Sequence, residues 1–321
     1  MTKILGIGNA LVDVLTQLEN DDLLVTLNLP KGSMQLVDAI KSSQIQEQSK
    51  NLEKQMASGG SAANTIHGLA KLGVETAFIG TVGKDVTGDF FHNDLVGNNI
   101  VPHLIKSDSP SGIANAMISK DGERTFGTFL GAAIELSADS LNDDHFRGYD
   151  ILHVEGYLVQ NHELLEAILA TAKKNGLKVS IDLASYNVVE DNLDFLKQMV
   201  EKYVDIVFAN EEEAKAFTGL EPEEALHEIS KVCDIAIVKV GGKGSMVKQG
   251  ETIVSIGVKE INPIDTTGAG DLYAAGFLYG LINKFDFKKS GEIGSLLAST
   301  VIGTIGAKIS EENWVKIKQD L

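Results

Sequence analysis

Ile264-Asp265-Thr266-Thr267-Gly268-Ala269-Gly270-Asp271 runs directly into an apolar stretch over 272–282. Ala274, Phe277, Leu278 and Leu281 fall at i, i+3, i+4 and i+7, so the stretch after Asp271 reads as a buried amphipathic helix. The two glycines then stand where loop becomes helix. Free N–H groups at the positive end of the helix dipole make such a turn a seat for phosphate. Asp271 is out of keeping with that seat. A carboxylate repels an anion there unless it has work to do, and general base is the role chemistry offers. An acid that caps or charges the helix start is the equally open alternative.

Outward from this junction the chain alternates. Strands are predicted at 3–8, 76–82, 101–105, 151–154, 178–182, 206–209 and 235–240, separated by helical patterns of ten to fifteen residues. That rhythm predicts βαβ units: a mostly parallel central sheet with helices on both faces, binding ligands beyond the carboxyl ends of its strands. Asp38 is placed to cap a polar helix running to about Met56, and Ala57-Ser58-Gly59-Gly60-Ser61 breaks it before a helix at 62–72. Residues 113–120 and 123–130, joined by Asp121-Gly122, predict an antiparallel hairpin. A second hairpin, 244–248 with 252–256, is expected at the sheet edge. The expected organisation is one α/β domain over 1–321, with a small β-sheet lobe inserted from about 10–37 and 100–130.

With 321 residues, 43% of them hydrophobic, the chain can bury a sizeable core. Its net charge of −17 disfavours nucleic acid or an anionic membrane as partner. A phosphate site must then be built locally from helix N-termini, backbone N–H groups and bound cations. The single cysteine, Cys233, excludes an intramolecular disulfide, fits a reducing cytoplasm, and reads as a small core residue approaching a buried strand. No signal-peptide layout opens the chain, and no apolar run reaches the roughly 18 residues of a membrane span. The seven histidines form no metal-ligand pattern. A cytoplasmic protein acting on small molecules, as monomer or homodimer, is expected.

Familiar phosphate loops are absent. Gly83-Lys84-Asp85 and Gly242-Lys243-Gly244 fail the P-loop pattern after the lysine, and Leu11 stands where a dinucleotide fingerprint needs glycine after Gly6 and Gly8. Other stretches bear chemistry. In Ser58-Gly59-Gly60-Ser61-Ala62-Ala63-Asn64 the glycines let a substrate approach the backbone and Asn64 can hydrogen-bond a hydroxyl; an ordinary loop-to-helix junction is the alternative. Gly241-Gly242-Lys243-Gly244 follows a strand, as a nucleotide border or a plain turn. Asn210-Glu211-Glu212-Glu213 also follows a strand, to orient water around Mg²⁺ or to charge a helix start favourably. Asp13 is the lone acid in an apolar stretch. Together these suit phosphoryl transfer from a nucleotide to an alcohol.

In order and spacing the motifs resemble the ribokinase/PfkB family of carbohydrate and nucleoside kinases, over essentially the whole length. Asp265 to Asp271 is similar to the family's C-terminal signature, Gly59-Gly60 with Asn64 to its N-terminal one, and Asn210 with Glu213 to its Asn-x-x-Glu motif. The resemblance implies a ribokinase-like fold whose β-lobe is a lid that excludes water on closing. It implies Asp271 as the base that deprotonates the acceptor hydroxyl, and Gly268, Ala269 and Gly270 as an anion hole for the transferring phosphate. It further implies Asp13, Gly59, Gly60 and Asn64 on substrate hydroxyls, and Lys239, Gly241, Gly242, Gly244 and Thr266 along ATP. Family members often carry threonine where Lys239 stands. Asn210 and Glu213 would hold Mg²⁺ through water. Many members use a monovalent cation such as K⁺ beside the anion hole, and its place here would be Asp265 and Thr267 with the 303–306 loop.

Gly59-Gly60 is followed by Ser61, where many of the family's sugar kinases have lysine. With Gly8-Asn9-Ala10-Leu11-Val12-Asp13 this is similar to the adenosine kinase branch. Phe126 and Phe129 on the lid hairpin would then wall the base. The expected activity is ATP-dependent phosphorylation of an adenosine-like nucleoside to its 5′-monophosphate. A sugar kinase for ribose, fructose or a 2-keto-3-deoxy sugar acid is the alternative, the acid being favoured if Lys31 and Arg124 point inward. A non-catalytic ligand-binding regulator on the same scaffold would be expected to lack the base or the anion hole, and this chain carries both motifs.

Overall fold

Short, unbroken apolar runs such as Ile-Ala-Ile-Val before Lys239 are fit for strands buried on both faces. In the computed structural model, which describes residues 2–258, 261 and 263–321, they form the centre of the molecule. In chain order the strands are β1 (Lys3–Ile7), β2 (Leu11–Gln17), β3 (Met34–Leu36), β4 (Lys54–Gly59), β5 (Glu75–Gly83), β6 (Ile100–Ser107) and β7 (Gly112–Ile118). There follow β8 (Arg124–Phe129), β9 (Ile151–Glu155), β10 (Lys178–Asp182), β11 (Ile206–Asn210), β12 (Ile235–Lys239), β13 (Ser245–Gln249) and β14 (Thr252–Ile256). The 9-stranded main sheet has the order β14-β13-β12-β11-β10-β9-β1-β5-β6. Its pairs are parallel apart from the antiparallel edge hairpin, β13 with β12 and with β14.

Alternation along β1 divides the core. Leu5 and Ile7 face one layer of helices with Leu165, Ile168 and Val200, while Ile4 faces the other with Ile66, Phe277 and Leu297. The order runs one way from β1 to β6 and the other from β9 to β12. The crevice beyond the carboxyl ends of β1 and β9 is therefore the switch point where an open α/β sheet binds ligands. The helix Ala269–Ile282 is buried almost all round, not along one face as its spacing suggests, because it lies between two other helices. A Cβ on Gly276 would come 2.7 Å from the Gly294 backbone of the helix Phe287–Val301, and one on Gly68, in the helix Ser61–Lys71, 2.8 Å from the Ala275 Cβ. These small residues bring the helix carrying Asp271 close to its neighbours.

A separate 5-stranded sheet, β3-β8-β7-β2-β4, forms the second layer. Leu24, Leu27, Leu29, Ile45 and Met117 pack its outer side. Its composition differs from the sequence expectation at two points. The helix capped by Asp38, whose carboxylate accepts from the Lys41 N–H at 2.7 Å, ends at Gln48, and 54–59 pairs with β2 instead of continuing to Met56. Strand pairing there prevails over a weak polar helix pattern. Residues 100–107 belong to the main sheet as β6, so the lobe takes its chain from Gly112 onward. Cys233 is half-buried before β12, with burial pushing its thiol to about 12. Among the described residues no helix is long and apolar enough to cross a membrane.

Replacing Gly276 by Ala must force the two helices apart. Urea denaturation is expected to register a loss of about 1–3 kcal/mol; an unchanged midpoint would contradict the close crossing.

Candidate active site

The crevice holds a cavity of about 1150 Å³ whose lining includes Asp13, Asn64, Asp182, Lys239 and Asp271. Its centre is built on Gly268, the residue before the helix Ala269–Ile282, at φ 77. A Cβ there would be strained by the left-handed backbone and would press 2.6 Å from the Ala307 Cβ. Ala269 donates its N–H to the Thr266 carbonyl at 3.2 Å, so one of the three amides named from the sequence is engaged within the loop.

Asp271 follows in the first turn, but its carboxylate does not cap its own helix. Oδ1 accepts from the Ser61 hydroxyl at 2.7 Å and Oδ2 from the Asn64 amide at 3.0 Å, both on the helix Ser61–Lys71 across the crevice. Burial pushes its pKa up to about 6, against these two hydrogen bonds, which favour the ionised form. The other carboxamide atom of Asn64, Oδ1, is buried without a partner.

Gly59 and Gly60 serve close approach. A Cβ on Gly59 would collide with the Asp13 carboxylate, and one on Gly60, at φ 98, with the Asn9 carbonyl. Burial raises Asp13 to about 6, opposed by Lys308. Beneath them lies Glu155, at the end of β9. It accepts from Asn9 Nδ2 at 2.6 Å and the Ala62 N–H at 3.2 Å, and burial pushes it to about 7. Sequence reasoning missed Glu155 and Ser61; an acid closing a buried strand was the signal for the first.

At the opposite end Lys239 pairs with Asp182 at 2.7 Å. Burial opposes its charge, but Asp182 and Glu213 hold its pKa at about 12. Lys239 reaches the start of the helix Ala269–Ile282: a Cβ on Gly270 would lie 3.0 Å from its Nζ. Asp182 was also missed, though it ends β10 as Lys239 ends β12. Asn210 and Glu213 form a reciprocal capping box, with the Glu213 carboxylate accepting from Asn210 N and Nδ2, both at 2.7 Å. Burial and the Asp182 charge raise Glu213 to about 7. Gly241, Gly242, Gly244 and Thr266 line the same end. Among the described residues no group of three or more His, Cys, Asp or Glu could hold a metal ion by itself.

One expectation is corrected, and two matters left open by the sequence gain an observation. Phe126 and Phe129 do not form one wall, because residues three apart on a strand face opposite sides. Cross-strand register puts Phe126 with Leu15 and Ala116 on the Asp13 face, and Phe129 on the other. Lys31 does not point inward; it pairs with Asp21 and Asp121 on the lobe surface. Asp265 and Thr267 are engaged by Arg124 from β8: Nη2 lies 2.5 Å from Asp265 Oδ2, and Nη1 donates to Thr267 Oγ1 at 3.1 Å.

The pfkB family carbohydrate kinase profile matches residues 31–314. Adenosine kinase from Sinorhizobium meliloti is similar in structure, with a TM-score of 0.87 and 30% identity over 100% of this chain and 99% of that one. A probable sugar kinase from Rhizobium etli gives a TM-score of 0.87 and 31% identity, covering 99% and 98%. The 5-dehydro-2-deoxygluconokinase of Geobacillus kaustophilus is 30% identical over 281 residues, 81% of this chain and 83% of that protein.

The carboxyl resonance of Asp271, followed by ¹³C NMR, is expected to titrate near pH 6. Ser61→Ala removes a bond to the ionised form and is expected to raise that value by about one unit; no change would contradict the contact.

Proposed function

The chain belongs to the pfkB family of carbohydrate kinases and is a phosphotransferase with an alcohol acceptor, and on that premise we propose that it phosphorylates the hydroxymethyl group of an adenosine-like nucleoside. The observation that carries the reading is one face of the second sheet. Asp13 lies on the same face of that sheet as Leu15, Ala116 and Phe126, so a hydroxyl-binding acid shares its face with the apolar side chains nearest to serve a base. The likeness to the S. meliloti adenosine kinase supports it. The relatives named as sugar and deoxygluconate kinases favour a second reading, a sugar or sugar-acid acceptor.

In the mechanism we propose, Asp13, the backbone at Gly59 and Gly60, and the Asn64 side chain hold the acceptor. Asp271 takes the proton from its hydroxyl as that oxygen attacks the γ-phosphorus of ATP. The bond to the β-phosphate oxygen breaks, ADP leaves, and the proton stays on Asp271 until it is lost to solvent. Gly268, Gly270 and Lys239 receive the charge that develops on the phosphoryl oxygens. Gly241, Gly242, Gly244 and Thr266 border the nucleotide. Glu213 and Asn210 would hold Mg²⁺ through water: they hold each other at the cavity wall, and phosphates and water would supply most of the ligands. When bound, the ion would neutralise phosphate charge.

ADP release assayed against adenosine, inosine, guanosine, ribose, fructose and 2-keto-3-deoxygluconate is expected to be greatest with adenosine. Asp271→Asn is expected to lower kcat by about 10²- to 10⁴-fold. Turnover of a sugar but of no nucleoside would replace the substrate reading. An Asp271→Asn enzyme as fast as wild type would remove the mechanism.

A further inference from the structure

Asp265 stands three residues before Gly268, and its carboxylate braces the loop that forms the anion seat. Oδ1 accepts from the Thr267 N–H at 3.0 Å and Oδ2 from the Gly306 N–H at 2.7 Å. One full negative charge is thereby fixed beside the place where a phosphate must sit. The side chain is 4% exposed, so water screens it little. In many members of the family a dissolved monovalent cation is the expected remedy. Here the residues do not fit one held by that carboxylate. Both oxygens already accept backbone N–H groups, and the Arg124 guanidinium lies against Oδ2 and Thr267 Oγ1, in a side chain 10% exposed. A second cation in contact with the same oxygens would be repelled by a fixed charge of like sign.

We propose that Arg124 is the built-in cation of the anion seat, standing where a dissolved monovalent cation would otherwise neutralise Asp265. This rests on reading Gly268–Gly270 as the anion hole. Arg124 belongs to β8, in the second sheet, whereas Asp265 and Thr267 belong to the loop before the catalytic helix. The charge is therefore delivered by the lobe that covers the crevice. With the lobe displaced, the uncompensated Asp265 charge opposes a phosphate at the seat. With the lobe closed, the guanidinium cancels it and braces the loop through Thr267. Phosphate seating and exclusion of water become one event, which suppresses transfer to water. Arg124 acts through Asp265 and the loop and is a positioning residue.

The test uses the full-length protein and the best acceptor of the nucleoside and sugar panel. Wild type is expected to work in tetramethylammonium as sole monovalent cation within about twofold of its rate in K⁺. Arg124→Met is expected to lose about 10²-fold in kcat with little change in acceptor KM, part of it regained on adding guanidinium. Hydrogen exchange, run without substrate, is expected to be faster in Arg124→Met at the amides of Thr267 and Gly306. This arm needs no acceptor, so it stands apart from the substrate reading and decides alone if nothing on the panel turns over. A wild type that loses about tenfold or more without K⁺ would overturn the proposal. So would unchanged exchange at both amides, since a kcat loss without it would make Arg124 a direct phosphate ligand. Should Arg124→Met fail to fold, Arg124→Gln carries the same three readouts with the same expected and contrary results.

Discussion

The hydrogen bonds that Ser61 and Asn64 make to Asp271 join the two helices whose starts define the crevice. To act as the proposed base, Asp271 must be aimed and kept ionised where burial favours its neutral form. These two donors, fixed on a neighbouring helix, meet both demands. Their own placement depends on the turn at Gly60 and on Glu155, which holds Asn9 and Ala62 beneath it. The glycine and alanine contacts between helices bring Asp271 within reach: a larger residue at Gly68 would press on Ala275. One contact thus draws on the strand ends, the glycine turn and the helix packing at once.

Charge is arranged on the same plan. The chain is strongly acidic, yet around the loop at Gly268 it supplies cations individually paired with acids: Lys239 with Asp182, and Arg124 with Asp265. Buried pairs of this kind add little net stability, because desolvation offsets their attraction. Their value lies in keeping a charge at a set position. Asp182 holds Lys239 protonated beside Gly270 although the amine is largely out of water.

Much of this was legible in the sequence, for reasons that differ between elements. The alternating apolar runs required a parallel sheet, and Gly268 and Asp271, singled out at the start of an apolar helix, line the cavity. The Asn210–Glu213 spacing carried both its readings at once: the capping box is present, and it lines the cavity. Other features depend on tertiary placement. Residues 54–59 look helical until β2 offers an edge to pair with, and 126 and 129 look like one wall until a strand turns them apart. Glu155, Asp182 and Ser61 are unremarked in the chain because their partners are 146, 57 and 210 residues away. The inward turn of Arg124 was likewise visible only once β8 had a place over the crevice.

The account stands most directly on the ionisation of Asp271, and the pH dependence of kcat/KM for the acceptor reads it. A raised pKa of about 6 in the free enzyme leaves the base ionised at neutral pH and protonates it as the pH falls through that value. The predicted profile is level from about pH 7 to 8 and falls toward tenfold per unit below about 6. A profile flat down to pH 5 would contradict a base held in this way.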